Sequence, residues 1–389
     1  MTEKTNIPQG YKDSPLGIIP KEWEVKRLGE ICTHFKSGTT ITAKEISEKG
    51  LYPVYGGNGL RGYSNTYTHN GDYILIGRQG ALCGNINFVC GKSYISEHAI
   101  AVQTDENMMW LRYKLENWNL NRFSESSAQP GLSVEKLVRY KLTVPTLNEQ
   151  IGIATILQLW DTAIEKQSEL VEKLKLRKQA LMQQLLTGKK RLPGFNDEWK
   201  HVPIKTFAKE VSNRNVGGAN HIVLSCTKYD GLVPSLEYFG KQIYSNDLSS
   251  YKIIPQGHFA YATNHIEEGS IGYQSNYENG LISPMYTVFV TNKEKVNDTF
   301  LYSVLKSHHL IYLYKSMMEG SINRRGGLRW DSFSTIKIDL PSLEEQNVIA
   351  SVLVKADEEI ELAKEKLSNL QAQKRGLMQQ LLTGKKRVV

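Results

Sequence analysis

Leu181-Met-Gln-Gln-Leu-Leu-Thr-Gly-Lys-Lys-Arg191 recurs letter for letter at Leu377 to Arg387, an offset of 196 residues (377 − 181). Upstream, Val144-Pro-Thr-Leu-Asn-Glu-Gln150 matches Leu340-Pro-Ser-Leu-Glu-Glu-Gln346 at the same offset. The period is far too long for a solenoid, whose repeats run to about 50 residues. The chain therefore reads as two half-molecules, each a globular domain followed by a long helix.

Both helices carry start and stop signals. Thr146 with Glu149, and Ser342 with Glu345, have the spacing of a capping box. Gly188 and Gly384 suit a left-handed C-terminal turn, and the Lys-Lys-Arg that follows each complements the negative end of the helix dipole. The apolar spacing alternates three and four. The first helix reads Leu157, Trp160, Ile164, Gln167, Val171, Leu174, Lys178, Leu181, Leu185. The second reads Leu353, Ala356, Ile360, Ala363, Leu367, Leu370, Lys374, Leu377, Leu381. This is a coiled-coil seam held over about four heptads, and a seam needs a partner helix. The other copy is the nearest candidate, and the order domain–helix–domain–helix makes an antiparallel pair natural. Lys178 and Lys374 stand at equivalent seam positions, where a polar residue sets register.

The intervening domains carry short strand signals bounded by Gly, Asn or Pro, such as Tyr73–Ile76, Ala99–Val102, His221–Leu224 and Tyr286–Val290. Shorter helices are expected over Met108–Asn121 and Asp298–Met318. Glu22-Trp23 and Glu198-Trp199 open the domains, and Gly131-Leu132 and Gly327-Leu328 stand near their ends. The fold class is thus α+β: two mostly-β domains, 1–143 and 192–339, joined by helices over 144–191 and 340–389 that form an antiparallel coiled coil with a pseudo-twofold repeat. The helices stay nearly alike while the domains differ. That contrast predicts one scaffold presenting two recognition surfaces.

Composition narrows the function classes. No apolar run approaches the roughly 18 residues of a membrane span, and residues 1–20 lack a signal-peptide apolar stretch, so a cytoplasmic protein is expected. Cys32, Cys83, Cys90 and Cys226 are scattered, which favours reduced thiols over a zinc site. The net charge of +8 is spread over the chain and agrees with nucleic-acid binding without requiring it. Gly84 to Ser93 resembles a P-loop but has six residues between its glycines where four are required. The histidines are dispersed. No catalytic residue and no metal site is expected.

Nucleic-acid contact has better candidates. Pro53 to Tyr63 is glycine-rich and brings Tyr55, Gly57, Asn58, Arg61 and Tyr63 into close succession. Bare glycine backbone approaches phosphates closely, while Asn58 and Arg61 offer bidentate donors to base edges. Arg78 and Gln79 follow a strand directly, a pair suited to guanine and adenine in the major groove. Asn264 and His265 stand at the corresponding strand exit of the second domain, and Asn323, Arg324, Arg325 and Arg329 crowd a glycine-flanked loop. Three arginines among glycines point to phosphate binding.

With these residues in place, the whole chain resembles the specificity (S) subunits of type I restriction–modification systems. The paired Pro-x-Leu-x-Glu-Gln helix starts and the paired helix ends carry most of the likeness. Tyr52 to Gly59, Gly71 to Gly80 and Ser283 to Tyr286 are similar to stretches of that family's target-recognition domains. The resemblance implies a non-catalytic reader of a bipartite, asymmetric double-stranded DNA site. It implies docking of two methyltransferase (M) subunits on the helices, with nuclease/translocase (R) subunits joining them. S-adenosylmethionine, ATP and Mg²⁺ would then belong to the partners, with no cofactor on this chain. The alternative is a coiled-coil adaptor whose globular domains bind protein; it keeps the repeat but leaves the Gly-Asn-Arg loops without a role.

Overall fold

The structure is a computed structural model that describes residues 7–80, 82–124, 131–319 and 327–388. It divides into two compact units, 1–169 with 364–389, and 170–363.

The first unit is built on two four-stranded sheets. One has Cys32–Ser37, Ala99–Thr104, Tyr73–Gly77 and Ile86–Val89 side by side, every neighbour antiparallel. The other orders Gly59–Ser64, Tyr52–Gly56, Lys92–Ile95 and His69–Asn70, with one parallel pairing between Lys92–Ile95 and Tyr52–Gly56. Tyr73–Gly77 is buried along its whole length, so its near-continuous apolar run reflects cover on both faces. Helix Met108–Asn117 packs its Trp110, Leu111 and Leu115 into a core shared with Trp23, Leu142 and Leu382.

The second unit repeats this plan. Ala208–Val211, Tyr286–Thr291, Phe259–Ala262 and Ile271–Tyr273 form the antiparallel sheet; Gly231–Pro234, Ile222–Thr227, Asn279–Ile282 and Lys252–Pro255 form the mixed one. Its core is more aromatic, with Phe259 stacked on Phe289 and Phe333 against Tyr261. The expected helix over Asp298–Met318 is in fact two, Asp298–Leu305 and His308–Glu319, separated by Lys306-Ser307. Ser307 starts the second one: its hydroxyl accepts from the Leu310 amide, the local bond that lets serine interrupt a helix. The first domain's helix likewise ends at Asn117, and Leu120–Phe123 continues as a 3₁₀ turn after Asn119 adopts a left-handed backbone.

The long helices run Leu147–Leu185 and Leu343–Leu381. Within the second unit, Val171 and Leu174 pack on Ile360 and Ala363, Lys178 pairs with Asp357, and Leu185 shares a core with Ile349 and Leu353. Residue numbers rise along one helix as they fall along the other, so the segments are antiparallel. In the first unit Lys374 pairs with Asp161, the same contact shifted by one repeat. The seam positions are where burial falls: Val171, Leu174, Leu185, Ile360 and Leu381 are buried, and Trp160, Ile164, Leu181, Leu367, Leu370 and Leu377 are half-buried. Each fully buried aliphatic side chain among them contributes about 1.5–3 kcal/mol, and the half-buried ones less.

Of the two expected capping boxes, only the second is even half formed. Ser342 Oγ accepts from the Glu345 amide at 3.3 Å, but the glutamates turn away from the helix N-terminus. Glu149 instead accepts from Trp23 Nε1 at 2.8 Å and from Arg387, and Glu345 from Trp199 Nε1 at 3.1 Å and Arg191. A buried carboxylate gains more from an arginine fork than from one exposed backbone amide. Gly188 and Gly384 do adopt the left-handed turn, with φ of 67° and 74°.

Candidate nucleic-acid interface

In the first unit the glycine-rich stretch is a β-hairpin, Tyr52–Gly56 with Gly59–Ser64, whose tip is Gly57-Asn58. The tip lies against the exit of the buried strand Tyr73–Gly77. A Cβ on Gly57 would come within 2.7 Å of the His98 carbonyl, and one on Gly77 within 2.5 Å of the Gly57 carbonyl. Only bare backbone on both sides permits this approach. The strand exit is pinned from two directions: Arg78 N donates to His98 O, and Leu132 N donates to Arg78 O, both at 2.9 Å.

Asn58, Arg78, Gln79 and His98 are thereby gathered on one surface, with Asn58 and Gln79 exposed and His98 Nδ1 3.3 Å from Gln79 Oε1. Arg61 is exposed, its stem lying across Gly56, while Tyr55 and Tyr63 are half-buried on the hairpin strands. Glu135 is held below the usual carboxylate range first by the Ser133 hydroxyl and its own backbone amide, and further by the charges of Arg78 and Arg139.

The second unit rebuilds the device with other side chains. Leu328 N donates to Thr263 O at 2.9 Å, as Leu132 does to Arg78, and Thr263 Oγ1 donates to Met285 O at 3.0 Å. Gly327, at φ 63°, leaves so little room that a Cβ would lie 2.4 Å from Asn264 Oδ1. Asn264 and Arg329 are exposed here, and a cavity of about 340 Å³ opens beside them, lined by Thr263, Met285, Arg329, Trp330 and Asp331 among others. His265 sits one residue on, with Nδ1 3.3 Å from Glu268 Oε1. Together with Glu267 it places ligand atoms within 4.8 Å of one another on an exposed turn. Asn323, Arg324 and Arg325 lie outside the described residues.

The sequence reading missed His98 and Met285, which hold equivalent places: each is the third residue of a turn closed by a 3.0 Å bond, Ala99 N to Ser96 O and Tyr286 N to Ser283 O. It also missed Lys228 and Tyr229 at the tip of the second hairpin. Tyr229 is 77% exposed, with the Lys228 ammonium 5.1 Å from its ring centre. The signal was present as two short apolar runs around Thr-Lys-Tyr-Asp-Gly, a hairpin pattern.

The Lys-Lys-Arg clusters divide by role. Arg191 and Arg387 clamp Glu345 and Glu149, whereas Lys189, Lys190, Lys385 and Lys386 are exposed. Among the described residues no helix is long and apolar enough to cross a membrane.

Comparison with known proteins agrees with this architecture. The family model for the type I restriction modification DNA specificity domain matches twice, over residues 20–175 and 204–372. The EcoprrI specificity subunit of Escherichia coli is 44% identical over 160 residues, a match spanning 39% of this chain and 40% of that protein's length. The MjaVIII specificity subunit of Methanocaldococcus jannaschii is 24% identical over 95% of this chain and 94% of its own. Among solved structures, the S subunit of a type I restriction–modification system from M. genitalium superposes with a TM-score of 0.60 at 14% identity, covering 98% of both chains, and so shares the fold. A twice-matched domain, a repeated scaffold and two differently furnished strand exits lead to one conclusion: the chain belongs to the type I restriction–modification DNA specificity family.

Proposed function

We propose that this chain is the non-catalytic reader of a bipartite DNA site, one half read by each β domain, and that it directs adenine methylation and cleavage carried out by partner subunits. The observation that carries the reading is the twice-built strand exit. The same backbone bonds from Leu132 and Leu328 hold Arg78-Gln79 in one unit and Thr263-Asn264 in the other. A frame that shares this bond but presents different exposed hydrogen-bonding side chains is what two unlike half-sites require.

Docking of two copies of one methyltransferase subunit is supported by the helix ends. Gln183, Gln184, Thr187, Lys189 and Lys190 are exposed, and so are their identical counterparts Gln379, Gln380, Thr383, Lys385 and Lys386. Seam packing does not constrain outward positions, whereas a partner that binds twice does. S-adenosylmethionine, ATP and Mg²⁺ are assigned to the methyltransferase and nuclease subunits.

Mapping methylated adenines genome-wide, with and without the chain, tests the reading. The expected result is one two-part motif that vanishes with the chain. Arg78→Ala should relax the first half only and Asn264→Ala the second, each by about 1–3 kcal/mol of discrimination. A complex with no sequence preference for duplex DNA at any salt concentration would favour the protein-binding adaptor instead.

A further inference from the structure

Met285 is an exposed, flexible apolar side chain on the reading surface of the second unit, beside Pro284 and the half-buried Trp330. It is 60% exposed and shares the 340 Å³ cavity rim with Thr263 and Arg329. Its backbone is not free to carry it elsewhere: its carbonyl accepts from Thr263 Oγ1, and the Ser283–Tyr286 turn is closed by the Tyr286 amide. The side chain is therefore presented to solvent from a fixed base.

The first unit has His98 at the same place, so the frame does not call for methionine. Nor does local packing, since a side chain this exposed gains little from its neighbours. What distinguishes the two residues is chemistry. Histidine offers hydrogen bonds, while methionine offers a flexible, polarizable apolar surface. On a surface that faces a DNA groove, the only apolar group on a base edge is the thymine 5-methyl, in the major groove.

We infer that Met285 is a specificity-determining residue of the second domain and that it contacts the 5-methyl group of a thymine in the second half-site. The inference rests on the DNA-reading function proposed above and adds to it the identity of one recognised group. Met285 makes no base-edge hydrogen bond in this scheme; Asn264 and Arg329 supply the polar part of the contact. Discrimination comes from desolvating a methyl group against the thioether.

Replacing each thymine of the mapped second half-site in turn by deoxyuridine, which lacks only that methyl, tests this in the assembled methyltransferase complex. One substitution should weaken binding of the native complex about fourfold, the worth of one buried methyl group. Met285→Ala should bind the thymine site about as weakly as the native complex binds the deoxyuridine site, and should no longer distinguish the two. Met285→Leu should keep the distinction, which guards against a folding defect. Native binding indifferent to every thymine-to-deoxyuridine change, with Asn264→Ala and Arg329→Ala still impairing the second half-site, overturns the Met285 assignment and leaves the DNA-reading function standing. Indifference of binding to Asn264, Arg329 and Met285 alike overturns both.

Discussion

Arg387 clamps Glu149 from the far end of the chain, with Nε 2.7 Å from one carboxylate oxygen and Nη2 3.0 Å from the other. Glu149 is almost wholly buried, its side chain 3% exposed, and Trp23 Nε1 supplies a further bond. Arg191, Glu345 and Trp199 repeat the triad in the second unit. Removing one partner of a buried pair strands the other charge, at a cost of about 3–5 kcal/mol. Arg387→Ala should therefore loosen the first unit and Arg191→Ala the second, each leaving amide exchange in the other unit unchanged. Equal loss of protection in both units after either substitution would refute the idea of two separate locks.

The seam lysines should weigh differently in the two units. Lys178 and Asp357 are partly solvated, with Asp357 54% exposed, so the pair contributes no more than about 1 kcal/mol. Lys374 is more enclosed, and its partner Asp161 also accepts the hydroxyl of the buried Tyr113. Lys374→Ala is expected to lower the melting temperature more than Lys178→Ala; the reverse order in calorimetry would count against the network.

Lys114 predicts a pH dependence. It is 5% exposed and donates to Thr143 Oγ1 and to the Leu382 carbonyl at 2.6 Å, and burial lowers its pKa to about 7. Between about pH 7 and its ordinary value of 10.5 the unfolded chain holds this proton and the folded chain does not. Raising the pH through that window therefore stabilises the fold, and below about 7 the cost of the buried charge is fully present. Counting from the matching helix caps Asn107 and Asn297, the equivalent position is the buried Val304. Lys114→Met should accordingly flatten the rise in stability between pH 7 and 10, measured by denaturant titration. An unchanged slope would show that another group titrates there.

Gly57→Ala is expected to act on recognition through sterics. The added Cβ would meet the His98 carbonyl at 2.7 Å, which is backbone and cannot rotate away. The hairpin tip must shift, at about 1–3 kcal/mol. Methylation should lose discrimination at the first half-site alone, and a variant that kept both half-sites would place the tip away from the DNA.

How much of this was legible beforehand differs by element. The seam was readable because a helix needs only its own periodicity to declare a face. Gly188 and Gly384 were readable because a left-handed backbone has one preferred residue. The capping boxes were misread because Glu149 and Glu345 have two possible partners, and local spacing cannot reveal an arginine 238 residues away. Gly57 was singled out for phosphate approach, while its close contacts here are with Gly77 and His98. His98 carried no signal, since a lone histidine fits almost any surface, and Met285 was noticed only within the family-like stretch Ser283 to Tyr286, with no role of its own.

By itself, then, the sequence determined the repeat, the two rods and the places where the backbone must turn, because these depend on neighbours within a few residues. The tertiary structure decided which side chains share a surface. Arg78 meets His98 and Thr263 meets Met285 only because antiparallel strands bring residues about 20 positions apart into backbone hydrogen bonding or side-chain contact. Such long-range pairing is set by sheet register and by glycines that let two backbones touch, and no local pattern encodes it.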